Sequence, residues 1–138
     1  MLGAFWVQKV GPESAELDKL TQKMSEYYRE EENQELHRVS NVSSGEVVAS
    51  KFGSEDNYYR ARVVSVKVKL LYCPVIFMCL LLQEDSYDLS QSIVEVDFVD
   101  FGDAEEKHLS EIFEIKTDFL KLKFQAIQCS LANIRFIV

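Results

Sequence analysis

Apolar positions in the first third of the chain recur with the period of a helix, after a short strand-like start. The run Phe5–Val10 favours a strand and ends at Gly11-Pro12, a pair that interrupts regular structure. A helix is expected to begin near Pro12–Ser14, with its apolar residues on one stripe: Leu17, Leu20, Met24 and Tyr27 or Tyr28. We expect this stripe to pack against a core, and we interpret the charged run 29–35 as a solvated helix end and linker.

Beyond Asn41 the chain becomes typical of β-structure. Strands are predicted at 46–52, 58–66, 93–98, 105–109 and 124–134. In the second of these, Tyr59, Ala61 and Val63 alternate with Arg60, Arg62 and Val64. Turns are predicted at 53–57 and 101–103, and one or two short helical turns at 110–122. Short strands joined by turns predict a small antiparallel barrel, and the helix alongside makes the fold mainly β with α (α+β).

The segment Leu70–Leu82 departs from this pattern because it is apolar throughout and has Pro74 inside it. It is too short to span a bilayer, which needs about 20 residues. A central strand is also disfavoured, because proline cannot donate to a ladder. The codons for Val68-Lys69 can form a splice donor, and those for Phe77–Gln83 can form a pyrimidine tract ending in an acceptor. We hypothesise that Val68–Gln83 is an intron translated in frame; the alternative is an unusual apolar insertion in a hairpin loop.

Composition and charge narrow the function classes. The chain has 138 residues, which favours one domain, and a net charge of −8. This charge argues against a binder of duplex nucleic acid and is compatible with a cationic partner. The three cysteines have no zinc-site spacing and indicate a reducing, intracellular compartment. Both ends are apolar and no signal peptide is recognisable, so we expect a fragment of a longer protein.

Few residues favour catalysis. His37 and His108 lie outside any metal or nucleophile motif, and we expect both at the surface. Asp97, Asp100 and Asp103 lie close together but lack the following glutamate of a calcium loop. We therefore predict no enzyme activity, no metal site and no cofactor.

Aromatic residues cluster around two turns. Phe52 ends one predicted strand and Tyr59 opens the next, while Phe98 and Phe101 flank the turn at Gly102. Strand alternation would send Phe98 and Phe101 to opposite faces, but a glycine turn can re-aim Phe101. Four facing rings would form a box for a cation, and the alternative is that they are ordinary core aromatics.

Three blocks of the sequence, in order, carry a resemblance to a known family. They are Tyr58–Val63, Val96–Asp103 and Phe119–Ala132, with Phe5-Trp6-Val7 and the predicted helix ahead of them. Together they resemble the extended Tudor domain family over nearly the whole chain except 68–83. Within the family, the Phe101-Gly102-Asp103 ending and the last block are most similar to the Tudor and KH domain-containing group, called partner of PIWIs in insects.

The resemblance implies a domain organisation. A Tudor SH3-like five-stranded barrel would occupy 41–118, and a connector helix and linker 13–40. The segments 1–12 and 119–138 would be parts of a staphylococcal-nuclease-like (OB-type) half.

The resemblance also implies a ligand. Family members bind methylated arginine, especially symmetric dimethylarginine in Arg-Gly or Arg-Ala-rich tails of PIWI proteins, in germline RNA silencing by the piRNA pathway. By position, the cage would be Phe52, Tyr59, Phe98 and Phe101, with Asp103 as its polar wall, where many such readers have asparagine. The expected location is cytoplasmic, at germ granules or the mitochondrial outer surface, without direct DNA binding or a membrane span in this chain. The alternatives are a single-stranded RNA-binding OB or barrel module and a scaffold fragment without a ligand.

Overall fold

The computed structural model of the protein describes residues 4–67 and 92–130. The hypothetical intron Val68–Gln83 lies outside these residues. Two helices, a five-stranded sheet and a two-stranded sheet make up the described parts of the chain.

The predicted amphipathic helix is confirmed as α1, Pro12–Arg29. Proline suits the first helical position, where no intrahelical partner exists for a backbone N–H. Ser14 Oγ accepts a hydrogen bond from the Gly11 N–H at 2.9 Å and holds the chain at the helix start. The predicted stripe faces inward, with Leu17, Met24 and Tyr28 buried.

The charged run 29–35 was predicted to be a solvated helix end and linker. The helix end is confirmed at the exposed Arg29, but the predicted linker is wrong. A second helix, α2, spans Glu31–Leu36 after an extended residue at Glu30. The side chains of Asn33 and Gln34 donate hydrogen bonds to the carbonyls of Tyr27 and Tyr28 at 2.9 and 2.7 Å. Carbonyls in the last turn of a helix lack intrahelical partners. The two side chains of α2 therefore satisfy carbonyls that the end of α1 leaves free.

The five-stranded sheet is antiparallel and consists of β2 (Val47–Lys51), β3 (Tyr58–Lys67), β4 (Ile93–Phe98), β5 (Ala104–His108) and β6 (Phe113–Glu114), in the order β5-β4-β3-β2-β6. Four strands, β2, β3, β4 and β5, confirm predicted segments. The region 110–122 was predicted as helical turns only. It contains 3₁₀ turns at Leu109–Glu111 and Thr117–Leu120, with β6, Phe113–Glu114, between them. Two residues are too few to show alternation, which is why the sequence pattern missed β6.

The two faces of this sheet pack against different clusters. In β2, Val48 joins a cluster with Val63, Val96 and Phe98, which is the core on one face of the sheet. The next residue, Ala49, joins a second cluster that also contains residues of α1, β3 and the β6 region: Met24, Tyr28, Tyr58, Phe113, Ile115 and Phe119. Period-two alternation therefore places α1 against the opposite face of the sheet from Val48.

A separate two-stranded sheet joins distant parts of the chain. Strand β1, Ala4–Gln8, pairs antiparallel with β7, Ala126–Ser130. This sheet is attached to the turn after β4, where the Ala126 N–H donates to the Val99 carbonyl at 3.1 Å and the Gln8 side chain donates to the Asp100 carbonyl. The pairing agrees with both segments belonging to one unit; their assignment to a nuclease-like half stays a prediction.

Neither of the helices in residues 4–67 and 92–130 is long and apolar enough to cross a membrane.

Candidate functional site

One small pocket brings the predicted cage residues together at the end of the five-stranded sheet where the β2–β3 and β4–β5 turns meet. Its volume is about 210 Å³ and its lining residues are Phe52, Glu55, Tyr59, Phe98, Phe101 and Asp103. All five residues predicted from the sequence line this pocket. Glu55 is a sixth lining residue that the sequence analysis missed.

The four rings form a chain of perpendicular contacts. The ring centroids of Phe52 and Phe98 are 5.1 Å apart with an interplanar angle of 90°. Tyr59 lies 6.3 Å from Phe98 at 89° and 5.2 Å from Phe101 at 89°. Edge-to-face contacts of this kind place the positive edge of one ring on the negative face of the next. The same arrangement surrounds one space with rings of different orientation, as a cation site requires.

The rings differ in how deeply they are set. Phe98 is the last residue of β4 and is 1% exposed, because it belongs to the hydrophobic cluster of Val48, Val63 and Val96 as well as to the pocket. Phe101 is 40% exposed and stands at the rim. The pocket is therefore continuous with the core on one side and open to solvent on the other.

A tight turn brings Phe101 to the same side as Phe98, as the sequence analysis expected. The N–H groups of Phe101 and Gly102 both donate to the Phe98 carbonyl, at 3.2 and 2.6 Å, and the Phe98 N–H donates to the Asp103 carbonyl at 2.7 Å. Gly102 has φ +88°, a conformation that side chains disfavour. The turn breaks strand alternation, so Phe101 and Asp103 both reach the pocket.

Trp6 of β1 packs directly on this turn. A Cβ at Gly102 would overlap the Trp6 side chain, so only glycine leaves room for the indole. The two-stranded sheet therefore touches the turn that carries Phe101 and Asp103.

The β2–β3 turn, which carries Phe52 and Glu55, is tied to β5. The Gly53 N–H lies 3.0 and 3.1 Å from the two carboxylate oxygens of Glu105. Lys107 Nζ lies 3.2 Å from Glu105 Oε2 and neutralises this carboxylate. The Glu55 N–H also donates to the Phe52 carbonyl at 3.0 Å, which closes the turn.

Glu55 reaches the pocket through Tyr59. The Tyr59 hydroxyl donates to Glu55 Oε2 at 2.6 Å. Burial, followed by this hydrogen bond, raises the pKa of Tyr59, so the phenol stays protonated and remains the donor at neutral pH. The available signal was a glutamate four residues before the cage tyrosine, across a short polar turn.

The aspartates considered for a metal site have separate roles. Asp103 lines the pocket, whereas Asp100 is buried and hydrogen-bonded to Arg60. Burial and nearby Glu95 raise the pKa of Asp97. Within residues 4–67 and 92–130, no three His, Cys, Asp or Glu side chains are grouped for a metal ion.

The two histidines differ. His108 is exposed, as expected, but His37 is half-buried, so the expectation of a surface histidine there is wrong. His37 Nε2 lies 2.8 Å from the Tyr27 hydroxyl, and its ring packs edge-on against Tyr27. His37 directly follows α2, and its position at the end of this helix brings its ring against Tyr27 and Tyr28 of α1.

Comparison with known proteins gives the family. The Tudor domain family model matches residues 2–78 and 86–133. The chain belongs to the Tudor domain family. The seven unmatched residues between the two parts of this match, 79–85, overlap the end of the segment Val68–Gln83.

Curated relatives extend the match to almost the whole chain. The Tudor and KH domain-containing protein homolog of Bombyx mori is 39% identical over 131 residues, 95% of this chain and 18% of that protein. The Drosophila melanogaster homolog is 34% identical over 131 residues, 95% of this chain and 20% of that protein. The chain thus spans about a fifth of the length of these relatives. The resemblance to the Tudor and KH domain-containing group is confirmed.

Solved extended Tudor domains have the same fold. The extended Tudor domain from BmPAPI in complex with sDMA has a TM-score of 0.77 and 38% identity, over 96% of this chain and 60% of that chain. A Drosophila melanogaster Papi extended Tudor domain variant with a dimethylated Piwi N-terminal peptide has a TM-score of 0.76 and 33% identity, over 96% and 56%. The same variant with the unmethylated peptide gives 0.78 and 32%, over 99% and 56%. The expected mainly β fold of an extended Tudor domain is confirmed.

Proposed function

We propose that this Tudor domain is a non-enzymatic binding module that takes a methylated arginine side chain of a partner protein into its aromatic pocket. The observation that carries the proposal is the pocket of about 210 Å³, lined by four aromatic rings and the Asp103 carboxylate. Phe52, Tyr59, Phe98 and Phe101 are the cage, and Asp103 is its polar wall.

The physical fit is to a guanidinium ion that is partly desolvated. Ring faces carry negative quadrupole density, and each cation–π contact is worth roughly 0.5–2 kcal/mol. Methylation keeps the charge of arginine but replaces N–H donors with methyl groups, which weakens hydration and adds apolar contact with the rings. A carboxylate such as Asp103 accepts an N–H that remains and adds Coulomb attraction.

The partner we propose is an Arg-Gly or Arg-Ala-rich tail of a PIWI-type protein, as in the piRNA pathway. The Drosophila relative is solved with a Piwi N-terminal peptide. A net charge of −8 favours association with such a basic tail. The location that follows is the cytoplasm, at germ granules or the mitochondrial outer surface.

A calorimetric titration with three matched Arg-Gly-rich peptides tests the proposal: unmethylated, symmetric dimethyl and asymmetric dimethyl. We expect binding of the symmetric form, with the Phe101→Ala variant losing at least about tenfold in affinity, the equivalent of one desolvated cation–π contact. Phe5→Ala is the matched control, because Phe5 is a phenylalanine of similar exposure, 38% against 40%, outside the pocket.

Two results would contradict the proposal. Equal binding of all three peptides that survives Phe101→Ala would indicate a general surface for basic tails. Absence of binding by the folded chain would leave a scaffold role.

A further inference from the structure

The pocket holds two carboxylates that come from different turns. Asp103 follows β4, and Glu55 lies in the turn between β2 and β3. A second acidic group is more than a cage for one cation needs, since the rings and Asp103 already provide attraction and an acceptor. A ligand that engages both carboxylates must present a hydrogen-bond donor to each of them.

Glu55 is held in place through both its backbone and its side chain. Its N–H donates to the Phe52 carbonyl at 3.0 Å, and its Oε2 accepts the Tyr59 hydroxyl at 2.6 Å. The turn beneath it is fastened to β5 through Gly53 and Glu105. A carboxylate has about four acceptor sites, so one bond from Tyr59 leaves capacity for a ligand N–H.

Methylated arginines differ in where their donors remain. Symmetric dimethylarginine keeps one N–H on each terminal nitrogen. The asymmetric isomer keeps two on one nitrogen and none on the other, so that nitrogen offers only methyl groups to an acceptor. Two carboxylates in separate turns match a ligand with a donor on each nitrogen, and an acceptor facing a methyl group loses its hydrogen bond.

We propose that Glu55 is a specificity-determining residue of the cage: with Asp103, it requires an N–H on each terminal guanidinium nitrogen of the bound arginine. The cage accordingly takes symmetric dimethylarginine best, accepts unmodified arginine with fewer apolar contacts, and disfavours the asymmetric dimethyl form. The inference rests on the proposed function and names the residue that selects the ligand.

The test compares Glu55→Ala with Asp56→Ala in titrations of the three matched peptides. Asp56 is the matched control, because it is the adjacent exposed carboxylate in the same turn and does not line the pocket. We expect the wild-type chain to prefer the symmetric over the asymmetric peptide by about tenfold, the usual effect of one charge-assisted hydrogen bond. Glu55→Ala should reduce this ratio to about one or two, and Asp56→Ala should leave it unchanged.

Tyr59→Phe adds a test of how Glu55 is held. It keeps the ring and removes only the hydroxyl, so the isomer ratio should fall part of the way while binding persists. Thermal unfolding of each variant checks that the fold is retained.

The outcomes separate the two proposals. A ratio that survives Glu55→Ala, or equal weakening of every peptide by Glu55→Ala and Asp56→Ala, overturns the role of Glu55 and leaves the cage intact. A wild-type chain that binds both isomers equally, with binding lost in Phe101→Ala, does the same. Absence of any peptide binding by the wild type overturns the proposed function, and the role of Glu55 with it.

Discussion

The Arg60 guanidinium and the Asp100 carboxylate form a buried, doubly hydrogen-bonded ion pair, with Nε to Oδ2 at 2.8 Å and Nη2 to Oδ1 at 2.5 Å. Arg60 also donates to the Phe119, Leu122 and Lys123 carbonyls. Asp100 accepts from the Gln125 N–H at 3.0 Å. Because Arg60 follows Tyr59 and Asp100 precedes Phe101, one pair links two cage residues to the chain that leads into β7.

Loss of Arg60 should destabilise the whole domain. Arg60→Ala leaves the Asp100 charge buried without its partner, which typically costs about 3–5 kcal/mol. Arg62→Ala is the control, because Arg62 lies two residues further along the same strand and is exposed. Urea unfolding measures both. A cost for Arg60→Ala no larger than that for Arg62→Ala would mean that the pair does not hold the fold.

The burial of Arg60 is a feature of the fold that the hydrophobic pattern of the sequence did not predict. Apolar alternation predicted β4, and the helical period of apolar residues predicted the α1 stripe, because each of these buries one face and the period follows from that burial. Alternation along β3 placed Arg60 on the other face of the strand from Ala61 and Val63, and nothing in the sequence indicated that Arg60 is buried. The reason is that Arg60 satisfies its donors with Asp100 and with carbonyls distant in sequence, and such partners are known only after the chain has folded.

The candidate site, like the fold, was predicted from the sequence in part. Four aromatic residues beside two turns, and a glycine that re-aims Phe101, were visible in the sequence, and the resemblance supplied Asp103. Glu55 was not predicted, since its carboxylate is brought to the pocket by the conformation of a turn and by the Tyr59 hydroxyl. The assignment of these residues to methylarginine stays a proposal.

The depth of each ring predicts different effects of truncation. Phe98 is 1% exposed in the core, so Phe98→Ala should cost about 3–5 kcal/mol of unfolding free energy and remove the pocket floor. Phe101 is 40% exposed, so Phe101→Ala should cost less than about 1 kcal/mol of unfolding free energy while weakening peptide binding by at least about tenfold. Urea unfolding and peptide titration, run on both variants, check this. A folded Phe98→Ala domain of wild-type stability would contradict the placement of Phe98 in the core.

The contact between Trp6 and Gly102 can be isolated by a pair of glycine variants. Gly45 and Gly102 have similar φ angles, +95° and +88°, but only Gly102 is covered by Trp6. Gly45→Ala should therefore show the conformational cost alone, about 1–2 kcal/mol. Gly102→Ala should cost more than this, because it also displaces the indole.

Only the second variant should alter ligand binding, since the Gly102 turn carries Phe101 and Asp103. We expect Gly102→Ala to weaken peptide affinity and Gly45→Ala to leave it unchanged, as measured by titration. Equal unfolding costs for the two variants would show that Trp6 does not press on the turn.

Because the hydroxyl of Tyr28 is buried and hydrogen-bonded, we expect the domain to lose stability at alkaline pH. Its hydroxyl donates to the Glu114 carbonyl at 2.8 Å and accepts from the Lys116 N–H at 3.0 Å. Burial raises the pKa of Tyr28 from 10.0 to about 12. The folded state thus favours the protonated phenol, so its contribution is complete below pH 10, the unfolded value, and is lost as pH rises toward 12.

The contribution of this shift is on the order of 1–3 kcal/mol. Tyr28→Phe should be less stable than the wild type at pH 8, because the Glu114 and Lys116 backbone groups lose their partner. It should also lose stability less steeply between pH 10 and pH 11.5, since the ionising group is gone and the other groups titrate in both proteins. Urea unfolding across this range measures the two slopes. Parallel curves would show that Tyr28 ionises equally in the folded and unfolded chain, and so that its buried hydroxyl does not hold α1 to the sheet.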